Sequence, residues 1–290
     1  MFKRIAVILK MVKFQHTIFS LPFGVVSAFY AIKSVNISTT EILIKFAWIL
    51  IAVISARLAA MTFNRMVDMK FDAANPRTSD RAIPAKTVSL RFAVTFTIFT
   101  CALFVFAGYQ LNTLCFYLSP LALFIILGYS YTKRFTPLCH CFLGLSLSGA
   151  PLGAWIAIKG NLELFPIILS IAVILWVTGF DIIYAMLDAE FDANAGLYSI
   201  PARFGMKKSL FLSTLFHCAA VAVFVVLGVI AKLGIFYFIG LGLATTLIIY
   251  QHIIVEPSDP KKINQAFFVA NAFVSIIIMT ASLMDLFLHF

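Results

Sequence analysis

The sequence predicts an all-α membrane protein: nine transmembrane helices in a single polytopic domain covering residues 1–290. Composition, the length of the apolar runs and the placement of charge each predict it. Of the residues, 62% are hydrophobic and only 12% are charged, and the mean hydropathy is +1.02. Soluble domains are about half apolar and roughly a quarter charged, so this chain has too little polar surface to coat a water-facing globule.

A helix that crosses a bilayer takes about 20 mostly apolar residues. Runs of that kind cover 16–33, 42–63, 88–108, 111–131, 141–159, 163–187, 209–231, 233–254 and 266–288. The first follows a basic lead, Met1–Lys13, whose apolar stretch Ile5–Leu9 is too short for a secretory signal. The first helix is therefore expected to insert the chain without cleavage. Very short turns join the third run to the fourth and the seventh to the eighth. None of the runs alternates with period two, which excludes the strands of a β-barrel.

The formal charge is +10, yet the basic residues fall between apolar runs and form no block of the kind that binds nucleic acid. Seventeen of the 22 Lys and Arg lie in the N-terminus and in the loops after the even-numbered spans. The opposite face holds Lys33, Lys45, Lys159 and Lys232, and Arg57 alone lies within a span. By the positive-inside rule the N-terminus is cytoplasmic. That orientation fits a bacterial inner (cytoplasmic) membrane. The five cysteines have no framework spacing. Cys139-His140-Cys141 looks like a fragment of a metal site, but a zinc site takes about four ligands and no second cluster accompanies it.

Seven of the 12 acidic residues lie in two short segments, each extending a span at its cytoplasmic end. Residues four apart share a helical face. Asn64, Asp68 and Asp72 therefore form one stripe, and Tyr184, Asp188 and Asp192 another, with Asp181 on nearly the same face. Asp68 precedes Asp188 by 120 residues, as Asp72 does Asp192, which suggests two four-helix halves of equal orientation plus a ninth helix. Like charges at this spacing repel, more so in a low-dielectric mouth. Divalent cations on oxygen ligands relieve that repulsion, and Mg²⁺ commonly takes one or two carboxylates plus substrate phosphates.

Arg57 lies 7 residues before Asn64, on the same stripe. An intramembrane Arg reads as a site residue, or as the partner of an acid such as Asp181. Arg77 and Arg81 suit bidentate phosphate contact. Tyr129-Ser-Tyr131-Thr-Lys133-Arg134 ends the fourth span at the same membrane face, where it serves the site or an interfacial belt. The 31 Phe residues suit lipid contact and an apolar tunnel equally. A bundle with a cation-loaded, phosphate-binding mouth above an apolar interior matches a lipid diphosphate.

At these residues the sequence resembles the UbiA superfamily of intramembrane aromatic prenyltransferases, in its 4-hydroxybenzoate polyprenyltransferase branch. Asn64, Asp68 and Asp72 match the Asn-x-x-x-Asp-x-x-x-Asp motif, and Asp181, Tyr184, Asp188 and Asp192 match Asp-x-x-Tyr-x-x-x-Asp-x-x-x-Asp. The runs Asn75-Pro-Arg77-Thr and Gly196-Leu-Tyr-Ser-Ile-Pro-Ala-Arg203-Phe-Gly205 are similar too, as is the first-span entry from His16 to Gly24. One departure is Arg81-Ala-Ile-Pro84-Ala-Lys86, where the family often has Arg-Pro-Leu-Pro and then a Gly.

The resemblance implies a UbiA-like bundle and Mg²⁺ held by Asp68, Asp72, Asp188 and Asp192. It implies a polyprenyl diphosphate bound through Arg77, Arg81 and Lys133 and oriented by Asn64. An allylic cation would be shielded by the face of Tyr129 or Tyr184, and the carboxylate of an aromatic acid held by Arg134 or, second, Arg57. The acceptor stays open between 4-hydroxybenzoate, for ubiquinone, and a dihydroxynaphthoate, for menaquinone. The alternative from another class is a secondary transporter with acidic cation sites. Transporters place such sites near the midplane on broken helices, whereas these acids gather at one face.

Overall fold

The computed structural model describes residues 14–288, and helix is the regular structure among them. A 3₁₀ turn, Phe14–Phe19, leads into α1 (Leu21–Lys33). Pro22 sits in the first turn of α1, where its missing N–H removes no helical bond. Next come α2 (Thr39–Val67), α3 (Leu90–Leu111) and α4 (Thr113–Thr132), followed by α5 (Cys139–Lys159) and α6 (Leu164–Ala185). The chain continues with α7 (Ile200–Ile230), α8 (Ile235–Ile254) and α9 (Asn271–Leu288).

Serines open three of these helices by accepting the backbone N–H three residues on, the ordinary N-cap bond. They are Ser38 from Glu41, Ser89 from Phe92 and Ser199 from Ala202. Gly160 closes α5 at φ 74°, a left-handed C-cap that glycine adopts without strain.

Among the described residues, eight helical stretches are long and apolar enough to cross a membrane, and α1 is a shorter apolar helix. With the 13-residue α1 they make nine helices among the described residues, consistent with the nine that the sequence predicts. Among the boundaries that differ from the apolar runs, two have a local cause. The first run starts at residue 16, but the chain is 3₁₀ up to Phe19 and α1 begins at Leu21. The seventh starts at 209, but its helix begins at Ile200 and breaks at Gly205 (φ 76°, ψ 169°). The Ser199 cap and Pro201 thus start a lead turn ahead of the spanning part. The readings made on Met1–Lys13 lie outside the described residues.

The chain divides into two compact units. One, over Ser38–Thr132, holds α2, α3 and α4. The other takes Ile18–Ile37 and the chain from Lys133 onward, so α1 packs with α5 to α9. The units thus do not follow the repeat, which groups the helices by fours. Ser27 on α1 donates to the Pro151 carbonyl of α5 at 2.6 Å, a buried bond between distant segments.

In the second unit α6 is the central element. Its Trp176 and Phe180 are fully or almost fully buried, with Phe23 of α1, Phe224 of α7 and Tyr237 of α8 in the same core. Tyr237 satisfies its hydroxyl by donating to the Phe224 carbonyl at 2.8 Å. Helices in lipid associate through close packing and interhelical hydrogen bonds, which small residues permit. Gly144 of α5 shows the limit: a Cβ there would stand 2.6 Å from the Ile174 carbonyl oxygen of α6.

Candidate active site

Each acidic motif lies where a spanning helix breaks and restarts. In the first unit, α2 ends at Val67, and a six-residue helix, Met69–Ala74, follows Asp68. In the second, α6 ends at Ala185, a 3₁₀ turn covers Met186–Asp188, and a six-residue helix, Ala189–Asn194, follows. The two short helices are 120 residues apart in sequence, the spacing of the motifs themselves. Asp68 (φ −87°, ψ 3°) and Asp188 (φ −114°, ψ 6°) share one backbone conformation, the bridge region common at functional positions. The sequence reading treated each stripe as one uninterrupted helix face. The break keeps the register even so, because Asp68 N–H donates to the Asn64 carbonyl at 2.9 Å and Asp72 N–H to the Asp68 carbonyl at 2.8 Å.

Within the first unit the stripe is closely tied. Asn64 Nδ2 donates to Asp68 Oδ2 at 3.1 Å, and Arg81 places a guanidinium nitrogen 2.6 Å from Asp72 Oδ1. Asp68 and Asp72 are both buried. The segment after Asp72 folds back over it. Asn75 Oδ1 accepts the Arg77 N–H at 2.9 Å, and the buried Thr78 hydroxyl donates to the Asp72 carbonyl at 3.1 Å. Arg77 is exposed at this turn, whereas Arg81 is partly buried and spent on Asp72.

Arg65 was not singled out from the sequence. It is buried, donates to Asn64 Oδ1 at 3.3 Å and lies 4.0 Å from Asp72 Oδ2. Its spacing of seven residues from Asp72, two helical turns, was the available signal. Arg57 lies two turns deeper, with its Nε buried and without a hydrogen bond. Tyr129 on α4 directs its hydroxyl to Met61 Sδ at 3.9 Å, and Tyr131 packs edge-on against Phe63.

Lys86 has φ 58°. A left-handed conformation costs a residue with a Cβ about 1–2 kcal/mol, partly offset by the greater unfolded-chain freedom of glycine. Lys86→Gly is therefore expected to stabilise the fold by about 0.5–1 kcal/mol. A thermal scan in detergent would then show its midpoint rise by roughly 1–3 °C.

In the second unit Asp192 is buried and Asp188 half-buried. Tyr184 stacks on Phe267 with ring centroids 4.1 Å apart. Phe267 belongs to a π-helical turn, Ala266–Ala270, and Asn271 Nδ2 donates to the Phe267 carbonyl there at 2.9 Å. Asp181 is bonded to His140, whose Nδ1 lies 2.7 Å away. Lys133 and Arg134 follow α4 and are half-buried. The Lys133 carbonyl accepts the Tyr198 N–H at 2.7 Å, so the turn after Asp192 is pinned to it.

Among the described residues no three His, Cys, Asp or Glu side chains gather closely enough to hold a metal ion by themselves. The donor set nonetheless suits a hard cation. It consists of carboxylate oxygens, and Asp72 Oδ2 is buried yet accepts no hydrogen bond.

The UbiA prenyltransferase family matches residues 20–277. A 4-hydroxybenzoate octaprenyltransferase of Nitrosospira multiformis is 32% identical over 212 residues, 73% of this chain and 72% of that protein. One from Tolumonas auensis is 30% identical over 73% of each chain. Among solved structures, an apo UbiA homologue from Aeropyrum pernix K1 is 33% identical with a TM-score of 0.82, covering 93% of this chain and 98% of that one. A UbiA homologue from Archaeoglobus fulgidus bound to DMAPP and Mg²⁺ shares the fold at 20% identity, with a TM-score of 0.69 over 94% of this chain and 98% of that one.

Proposed function

The chain belongs to the UbiA prenyltransferase family, and from that premise we propose that it transfers a polyprenyl group from a polyprenyl diphosphate to a ring carbon of 4-hydroxybenzoate. The repeated helix break, which sets an aspartate at each junction and a second aspartate four residues on, carries this reading. The relatives named as 4-hydroxybenzoate octaprenyltransferases support the acceptor. The Gly196–Gly205 stretch is the observation that keeps a dihydroxynaphthoate as the second acceptor to test.

Asp68, Asp72, Asp188 and Asp192 are the proposed Mg²⁺ ligands. A bound Mg²⁺ supplies charge neutralisation to the leaving diphosphate. Arg77 and Lys133 bind diphosphate oxygens, and Arg81 joins them on release from Asp72. Asn64, already a donor toward Asp68, orients the same group. With that charge neutralised the allylic C–O bond ionises, since stabilising charge where it develops lowers the barrier. Tyr129 and Tyr184 offer π faces to the allylic cation. The ring carbon beside the phenolic oxygen then attacks, and its proton passes to the released diphosphate, which restores the aromatic ring.

Arg57 is the proposed partner of the acceptor's carboxylate, with Arg134 the competing assignment. Its buried Nε has no hydrogen-bond partner, and a ligand anion would complete it. Arg57→Leu is expected to raise the KM for the aromatic acid about 100-fold, the worth of a charge-assisted bond of about 2–3 kcal/mol. The KM for the diphosphate should stay unchanged. The same result from Arg134→Leu, with Arg57→Leu silent, would transfer the role.

The orientation follows the positive-inside rule. The N-terminus and both acidic motifs face the cytoplasm of a bacterial inner membrane. The testing experiment is a detergent-solubilised assay with Mg²⁺, a polyprenyl diphosphate and either acceptor, its products weighed by mass. A prenylated 4-hydroxybenzoate is expected. A naphthoate product alone would change the acceptor. No consumption of diphosphate by folded protein would remove the enzyme reading and bring back the transporter.

A further inference from the structure

His140 is buried, and both of its ring nitrogens are engaged. Nδ1 lies 2.7 Å from Asp181 Oδ2, and Nε2 lies 3.2 Å from the backbone nitrogen of Ile200. A backbone N–H can only donate, so Nε2 must accept. The imidazole therefore carries its proton on Nδ1 and donates it to Asp181. The bond partners fix the tautomer, as they do for an imidazole held in a triad.

Three segments meet at this ring. Asp181 opens the second acidic motif on α6, three residues before Tyr184 and seven before Asp188. Ile200 begins α7, directly after the turn that leaves Asp192. His140 itself lies in the first turn of α5. The turn from Gly196 to Ile200 is held at two more points: Leu197 N–H donates to the Asp192 carbonyl at 2.8 Å, and Tyr198 N–H to the Lys133 carbonyl at 2.7 Å. A shift of this turn would therefore move Asp192 and Lys133 together.

We propose that His140 is a positioning residue for this half of the site: by donating to Asp181 and accepting from Ile200, it fixes the Asp181 carboxylate in one register with the turn that is hydrogen-bonded to Asp192 and Lys133. The role in turnover rests on the prenyltransferase reading above. The requirement is a side chain that donates at one end and accepts at the other. Gln meets it through Nε2–H and Oε1. Leu fills the volume with neither group, and Glu only accepts and adds a like charge beside Asp181.

The test is kinetic and spectroscopic. His140→Gln is expected to keep kcat within a few-fold of the parent. His140→Leu and His140→Glu should lose about 10- to 100-fold, the range seen when an orienting partner of a site ligand is removed. Parental kcat in His140→Leu, or an equal loss in His140→Gln, would overturn the proposal. Nitrogen-15 spectra of histidine-labelled protein supply a readout independent of turnover. With five histidines in the chain, the signal of an Nδ1-protonated neutral ring should vanish in His140→Gln. A His140 protonated on Nε2 would overturn the proposal even in an active enzyme. Parent protein that transfers no prenyl group would refute the functional reading, while the tautomer still reports on the clamp.

Discussion

Asp188→Asn and Asp68→Asn are each expected to lower kcat for prenyl transfer by about 10²–10³-fold, the scale on which one preorganised charge acts in a transition state. Amide for carboxylate keeps the shape and removes one negative charge, so the loss isolates electrostatics. Asp188 is half-buried at its junction, and Asp68 accepts from Asn64 at 3.1 Å, a bond that an Asn oxygen can still accept. Asp72 is a poorer probe, because Asp72→Asn would also break the 2.6 Å pair with Arg81. Breaking a buried pair is itself strongly destabilising. A stopped-time product assay, with a melting curve for each variant, separates catalysis from folding. Full transfer by Asp68→Asn would refute the ligand assignment.

The spans were legible because lipid imposes one requirement, a long apolar helix with its backbone bonds satisfied internally. The stripes were legible because residues four apart share a face in any helix. The breaks at Asp68 and Met186–Asp188 were not, since these motifs contain neither Pro nor Gly to mark them and the i to i+4 bonds bridge the first one. Contacts set by tertiary approach were also hidden. His140 and Asp181 are 41 residues apart, and in sequence His140 reads with its flanking cysteines as a metal fragment. Arg81 read as a phosphate ligand, and its 2.6 Å pair with Asp72, nine residues earlier in the chain, carried no signal in the sequence. The grouping of α1 with the later helices depends on contacts such as Ser27 to Pro151, which no periodicity records.

Withdrawal of Mg²⁺ should have the larger effect. Neutralisation of a leaving diphosphate by a metal is worth several kcal/mol, so chelation should lower transfer by about 10³-fold or more. The fold should barely respond. Without a cation, Asp72 still has Arg81 at 2.6 Å and Arg65 at 4.0 Å, and Asp68 still has Asn64. Among the described residues no three ligating side chains converge, so an ion held here would have coordination positions open to water and to phosphate oxygens. Ion and diphosphate therefore bind as a coupled pair. Ligand at 100 times its dissociation constant stabilises a folded protein by about 2.7 kcal/mol. A thermal scan should accordingly show a clear rise with Mg²⁺ and a non-reacting diphosphate analogue together, and little rise with either alone. An equal rise with Mg²⁺ alone would mean that the carboxylates form a complete ion site without substrate. Transfer that survives a chelator would take the ion out of the reaction.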